Sequence, residues 1–151
     1  MKYLIDTCVV SEVTKPYPNN NVLNWIRNIP SDRVFLSVIT IGEIRKGVSK
    51  LPNSKRKSKL LIWLNTLVEE YSDRILPIDL QVAEIWGEIQ AFSEKNGYPI
   101  PAIDSLIAAI ARTHNLILIT RNEDDFKGCN LTTLNPWNIS TDNKITKTER
   151  K

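Results

Sequence analysis

Three short apolar runs, Tyr3–Ile5, Val34–Leu36 and Leu116–Thr120, each give way within a few residues to a polar or amphipathic segment. A strand covered on both faces reads as a continuous apolar run rather than an alternating one. Such strands alternating with helices build a parallel sheet through crossover connections. The expected fold is therefore α/β, a three-layer arrangement with a central parallel sheet of about four to five short strands flanked by helices. Ile75–Ile78 and Leu131–Leu134 supply the further extended pieces.

The intervening segments carry helix signals. Asp6 or Thr7 can cap a helix to about Val13, and Asn19–Asn21 can cap one that places Val22, Trp25, Ile26 and Ile29 on one face. Ser37 starts a helix to about Lys50 with an apolar stripe of Ile41, Ile44 and Val48. Ser54 opens a helix that begins with Lys55, Arg56, Lys57 and Lys59 and continues into Leu60, Leu61, Leu64 and Leu67. Asp79 caps a long helix through Asn96, stopped by Gly97. Pro101 begins a helix to about His114 that is apolar nearly all round, which predicts a buried, central position. Residues 1–137 read as one domain, and 138–151 as a polar tail expected to fray.

Composition removes several function classes. The formal net charge of +3 permits contact with a polyanion without requiring it. Cys8 and Cys129 form no disulfide framework and match no zinc spacing, and His114 is the single histidine. A zinc enzyme or a histidine-based nuclease is thereby disfavoured. The opening MKYLID has no signal-peptide core, and no run approaches the roughly 18 apolar residues of a membrane span. The expected setting is the cytoplasm, with no membrane association.

Four acids stand at turning points of the chain. Asp6 follows the first strand, Glu43 lies in the second turn of the helix after Val34–Leu36, Asp104 in the first turn of the central helix, and Asp125 a few residues beyond Leu116–Thr120. In an open parallel sheet, ligands bind outside the carboxyl ends of the strands, so all four acids can face that edge. Singly, each has a structural explanation. Asp6 suits a helix N-cap, Glu43 a surface pair with Lys46 or Lys50, Asp104 a helix N-terminus, and Asp125 a solvated acidic turn with Glu123 and Asp124. Ile103, Leu106 and Ile107 around Asp104 predict a dry location for it. If all four converge, their repulsion calls for a cation, and an oxygen-only donor set favours Mg²⁺ or Mn²⁺.

At these residues the chain resembles the PIN-domain ribonucleases, specifically the VapC/FitB-like toxins of toxin–antitoxin pairs. The matching segments are YLIDTCVVSEV (3–13), FLSVITIGEIRKGV (35–48), PIPAIDSLIAAIARTHNLILITRN (99–122) and LNPW (134–137). The resemblance implies hydrolysis of RNA phosphodiesters with Mg²⁺ (or Mn²⁺), inhibition by a cognate antitoxin protein, and a homodimer. The family's first three acids carry over onto Asp6, Glu43 and Asp104. Two positions depart from its pattern. Cys8 stands where the family usually has Asn, and Asn122 stands where some members have the fourth acid. In others that acid directly precedes the Phe, which makes Asp125 the fourth acid here, with Asp124 as the alternative.

Around the acids, Thr7, Ser11, Thr120 and Asn122 are read as supporting groups through hydrogen bonds. Arg45, Lys46, Lys50, Arg112 and Arg121 are read as cations that steer RNA. The Lys55–Lys59 run is either an RNA clamp or an antitoxin surface. Trp25, Trp63 and Trp86 read as core or dimer contacts, and Trp25 with the apolar helices points to surplus apolar surface covered by a second protomer. Cys8 reads as a small packed residue without a catalytic role. Two rival readings stay open: a metal-dependent phosphatase, and a PIN-like module that binds RNA or a partner without cutting.

Overall fold

The computed structural model describes residues 1–139. The expected frayed tail therefore lies, beyond residue 139, outside the described residues. Five strands form one sheet: β1 (Tyr3–Ile5), β2 (Val34–Ser37), β3 (Ile75–Leu76), β4 (Ile117–Ile119) and β5 (Thr133–Leu134). Their order is β3-β2-β1-β4-β5 and every pairing is parallel. β1 is the central strand, with Leu4 opposite Phe35 on one side and Leu118 on the other.

Successive side chains of a strand point to opposite faces, and the core divides accordingly. Leu4 and Leu118 join the cluster on one face with Val82 and Ile89 of α5 (Leu80–Asn96) and Ile107–Ala111 of α6 (Ala102–Thr113). Ile5, Leu36 and Ile119 join the opposite cluster. There they meet α1 (Thr7–Glu12), α2 (Asn20–Asn28), α3 (Val38–Ser49) and α4 (Lys55–Glu70) through Val9, Val22, Ile44 and Leu64. Two helical layers thus enclose the sheet, and the three-layer expectation holds.

The helix ends follow the sequence signals. Asp6, Asn19, Ser37, Ser54 and Asp79 each accept a backbone N–H at the start of their helix. Gly97 closes α5 in the left-handed region at φ 68°. Among the described residues, no helix is long and apolar enough to cross a membrane.

Two expectations need correction. α6 is not apolar all round: Ser105 and Ile107–Ala111 are buried, whereas Ile103 is 44% exposed. Asp104 consequently sits half-buried at the rim instead of in a dry pocket. Trp25 offers little surplus surface, because it is 8% exposed and packs edge-to-face on Tyr3 with ring centroids 5.3 Å apart. Trp86 is spent inside the chain too, donating from Nε1 to Ser105 Oγ at 2.9 Å.

Candidate active site

The strand order reverses direction at β1. The chain steps outward from β1 to β2 and β3, then returns to the other side of β1 for β4. This is the switch point at which open α/β sheets form a crevice beyond the strand ends. Asp6 sits at the carboxyl end of β1 and Thr120 at that of β4. The Thr120 hydroxyl spans the crevice and donates to Asp6 Oδ2 at 2.8 Å. Asp6 Oδ1 accepts the Thr7 N–H at 2.8 Å, so the same carboxylate caps α1. The cap and the site residue are one side chain, not competing explanations.

Cys8 completes the surroundings of Asp6. Its Sγ lies 3.6 Å from Asp6 Oδ2 as a donor and 3.9 Å from Thr120 Oγ1. Burial and the Asp6 charge push the thiol upward from its ordinary pKa. It is therefore a neutral weak donor at the Asn position of the family pattern, not a nucleophile.

Glu43 reaches the site from α3. β2 ends at Ser37, whose side chain caps α3 at Thr40 N, and Glu43 lies on this helix one turn beyond Thr40. Although Glu43 is exposed, its Oε1 accepts the Thr7 hydroxyl at 2.7 Å. The same hydroxyl lies 3.1 Å from Thr40 Oγ1, which in turn accepts from Ser37 Oγ at 3.3 Å. Ser37 and Thr40 are fully buried; Ser37 is the helix start expected from sequence, whereas Thr40 is not among the sequence candidates. The available signal was a hydroxyl pair spaced as cap and N3 on an otherwise apolar helix start.

Asp104 and Asp125 come from the other half of the chain. The Asp104 carboxyl is raised above the ordinary aspartate range, first by burial, then by the negative charges of Asp125, Asp6 and Glu43. All four acids therefore lie within electrostatic reach of one point. In the 3₁₀ turn Glu123–Phe126, buried Phe126 anchors the backbone and the three acids diverge. Glu123 Oε2 accepts from Thr133 Oγ1 at 2.6 Å, and Asp124 pairs with Lys127 at 2.9 Å. Asp125 is exposed, and its charge reaches Asp104.

The remaining candidates separate. Asn122 N donates to Thr120 Oγ1 at 3.1 Å, so its backbone supports the site. Ser11, on α1, is half-buried, and its carbonyl accepts from the Thr14 hydroxyl just past the helix end. Arg45, Lys46 and Lys50 are exposed along α3 beyond Glu43. The Arg121 guanidinium lies 5.0 Å over the Trp137 ring. Arg112 is about 12 Å further along α6 than Asp104 at 1.5 Å per residue. It lines a groove of about 710 Å³ with Glu88, Phe92 and Lys127, to which none of the four acids contributes.

Among the described residues, no three Asp, Glu, Cys or His side chains stand close enough to cage an ion directly. The Asp104 carboxyl, raised first by burial, also feels the charges of the other three acids, so Asp125, Asp6 and Glu43 lie near enough to share a crevice with it. The two observations agree for a hard cation that keeps several waters and needs only one or two direct carboxylates. Such a site fits Mg²⁺ or Mn²⁺ and does not fit a closed zinc cage.

Comparison with known proteins identifies the family to which this fold belongs. The PIN domain model matches residues 3–128. Toxin FitB of Neisseria gonorrhoeae is 38% identical over 135 residues, covering 89% of this chain and 97% of that protein. VapC ribonuclease Y4jK of Sinorhizobium fredii is 33% identical over 138 residues, covering 89% of this chain and 96% of its own length. The crystal structure of FitAcB from Neisseria gonorrhoeae superimposes with a TM-score of 0.87 at 37% identity, across 91% of this chain and 99% of that one. With its sheet order, its acid crevice and these matches, the chain belongs to the PIN-domain family, in the VapC/FitB-like toxin group.

Proposed function

We propose that this protein is a divalent-metal-dependent endoribonuclease, the toxin of a cytoplasmic toxin–antitoxin pair, with residues 1–137 as its nuclease domain. The geometry that supports this best is the Thr7 link between the Asp6 cap and Glu43 at the switch point, with the Asp104 carboxyl raised first by burial and then by the charges of Asp125, Asp6 and Glu43. Carboxylates gathered without a cation of the protein's own among them make a site for a hard divalent ion. What Mg²⁺ or Mn²⁺ supplies when bound is neutralisation of phosphate charge and activation of water.

The chain's own residues do the rest. Asp6, Glu43, Asp104 and Asp125 hold the ion, directly or through water. Thr120 and Cys8 fix Asp6 Oδ2, and Thr7 fixes both Asp6 Oδ1 and Glu43 Oε1. Asn122 steadies Thr120 through its backbone N–H, and Ser11 lends a hydroxyl at the end of α1. Arg45, Lys46 and Lys50 attract the RNA backbone from α3, with Arg121 beside the crevice and Arg112 further off.

A cognate antitoxin would cover the crevice in the resting complex. Two copies would associate as a homodimer, for which light scattering should return twice 17.3 kDa. The decisive experiment is cleavage of a structured RNA in Mg²⁺ or Mn²⁺. It should be abolished by EDTA and by Asp6→Asn, Glu43→Gln or Asp104→Asn, with each variant still folded. Cys8 and Asn122, at the two positions that depart from the family pattern, favour as second reading a module that binds RNA or a partner without cutting. Retained RNA binding with no metal-dependent cleavage by the wild type would select it.

A further inference from the structure

From Ile44 to Val68 the chain carries seven basic residues (Arg45, Lys46, Lys50, Lys55, Arg56, Lys57 and Lys59) and no acidic one. The rest of the chain is net −4, with thirteen basic against seventeen acidic residues. The charge is thus strongly polarised toward α3 and α4, although the whole molecule is only mildly basic.

Folding stability does not account for this placement. Lys55, Arg56 and Lys57 occupy the first turn of α4, where the helix dipole disfavours cations and no acid compensates. Lys55 and Lys59 are one helical turn apart, a repulsive spacing for like charges. Lys57 is the exception in use, since its Nζ donates to the carbonyls of Ser49 and Leu51 and so ties the α3–α4 turn. Lys50, Lys55, Arg56 and Lys59 are exposed, and none has an ion-pair partner among the described residues. A bound polyanion would reverse every one of these unfavourable terms at once.

The surface is continuous with the acid crevice. Lys50 is the C-cap of α3, about 10 Å of helix rise beyond Glu43. The Lys57 bonds hold the start of α4 against the end of α3. We propose that Lys50, Lys55, Arg56 and Lys59 form a phosphate-binding surface for the RNA strand flanking the bond that is cut. This rests on the ribonuclease reading above, and extends the RNA path from α3 to the start of α4.

The test measures binding in EDTA, where no cleavage occurs, of a fluorescent single-stranded RNA oligonucleotide to the full chain across a salt series. Lys55→Gln/Arg56→Gln/Lys59→Gln should weaken binding about ten-fold or more at 0.1 M salt, and flatten the slope of log K against log salt by about 2. The charge-preserving Lys55→Arg/Lys59→Arg should keep the wild-type slope. A triple variant with unchanged Kd and slope overturns the assignment and leaves the patch to a protein partner. So does an arginine variant that loses as much as the glutamine one, because the loss would then be local structure. Mg²⁺-dependent cleavage of the same RNA by the wild type tests the ribonuclease reading separately. Its absence alongside a lost salt slope in the triple variant would count against that reading alone.

Discussion

Thr7 hydrogen-bonds Glu43 across 36 positions of sequence, its hydroxyl 2.7 Å from Oε1, while its own N–H holds Asp6 Oδ1. One residue therefore couples two acids that belong to different helices. Thr40 lies behind the hydroxyl at 3.1 Å and limits where it can turn. An exposed glutamate has many rotamers, and this contact selects the one that faces the crevice.

Replacing Thr7 with Val keeps the shape and removes the hydroxyl. Glu43 is exposed, so the stability change should stay below about 1 kcal/mol. Cleavage or metal affinity should fall about 10–100-fold, as for other residues that orient a metal-holding side chain. Thr7→Ser should restore most of it. A metal titration of cleavage, beside a urea melt, reads both quantities; wild-type metal dependence in Thr7→Val would remove the orienting role.

Thr120 is fully buried, and its hydroxyl both donates to Asp6 and accepts from Asn122 N. Thr120→Val leaves buried Asp6 Oδ2 without this donor and frees the Asn122 N–H at the surface, which should cost about 1–3 kcal/mol of unfolding free energy. Thr120→Ser should cost less, since it keeps both bonds. Urea midpoints at constant m would show it, and equal midpoints for wild type and Thr120→Val would contradict the network.

The raised Asp104 carboxyl has a thermodynamic signature in chelator. The folded form retains a proton that the unfolded chain has already released, so unfolding releases protons within that window. Stability should then fall as pH rises from the ordinary aspartate range through the raised value. Asp104→Asn should abolish this slope and melt higher than wild type in EDTA, and Mg²⁺ should close the gap by binding wild type alone. Thermal melts over a pH series, with and without metal, check both halves.

Among the three neighbouring acids, the structure separates the tasks. Asp125→Asn should damage cleavage most, with partial recovery at higher Mn²⁺. Asp124→Asn should lose only a solvent-exposed pair with Lys127 and leave stability and cleavage near wild type. Glu123→Gln should weaken the hold on Thr133 without touching the acid group. Parallel cleavage assays rank them, and a silent Asp125→Asn beside a damaging Asp124→Asn would move the fourth acid by one position.

The strands were legible because sheet burial leaves a local mark: Tyr3–Ile5 and Leu116–Thr120 are apolar without interruption. β5 was read too long, since only Thr133 and Leu134 pair with β4. The acids were legible as types at strand ends, but not their partners. The bonds from Thr7 to Glu43 and from Thr120 to Asp6 link residues 36 and 114 positions apart, and no local pattern encodes them. Thr40 did carry a local signal, three residues after the Ser37 cap, but its contact with Thr7 spans 33 positions. The dry setting expected for Asp104 failed because apolar neighbours in sequence occupy different faces of a helix. Ile107 turns into the core and Ile103 outward.

The position of β1 sets an order of assembly. Its neighbours are β2 and β4, and the Asp6 N–H itself bonds to the Ile119 carbonyl at 2.9 Å. During synthesis at roughly 5–20 residues per second, the first strand must wait on the order of 6–20 s for that partner to be made. Until then the crevice lacks one wall, and Asp125 is made only after it. A nascent or prematurely ended chain would therefore lack the completed crevice, and its unpaired central strand would be open to aggregation or proteolysis.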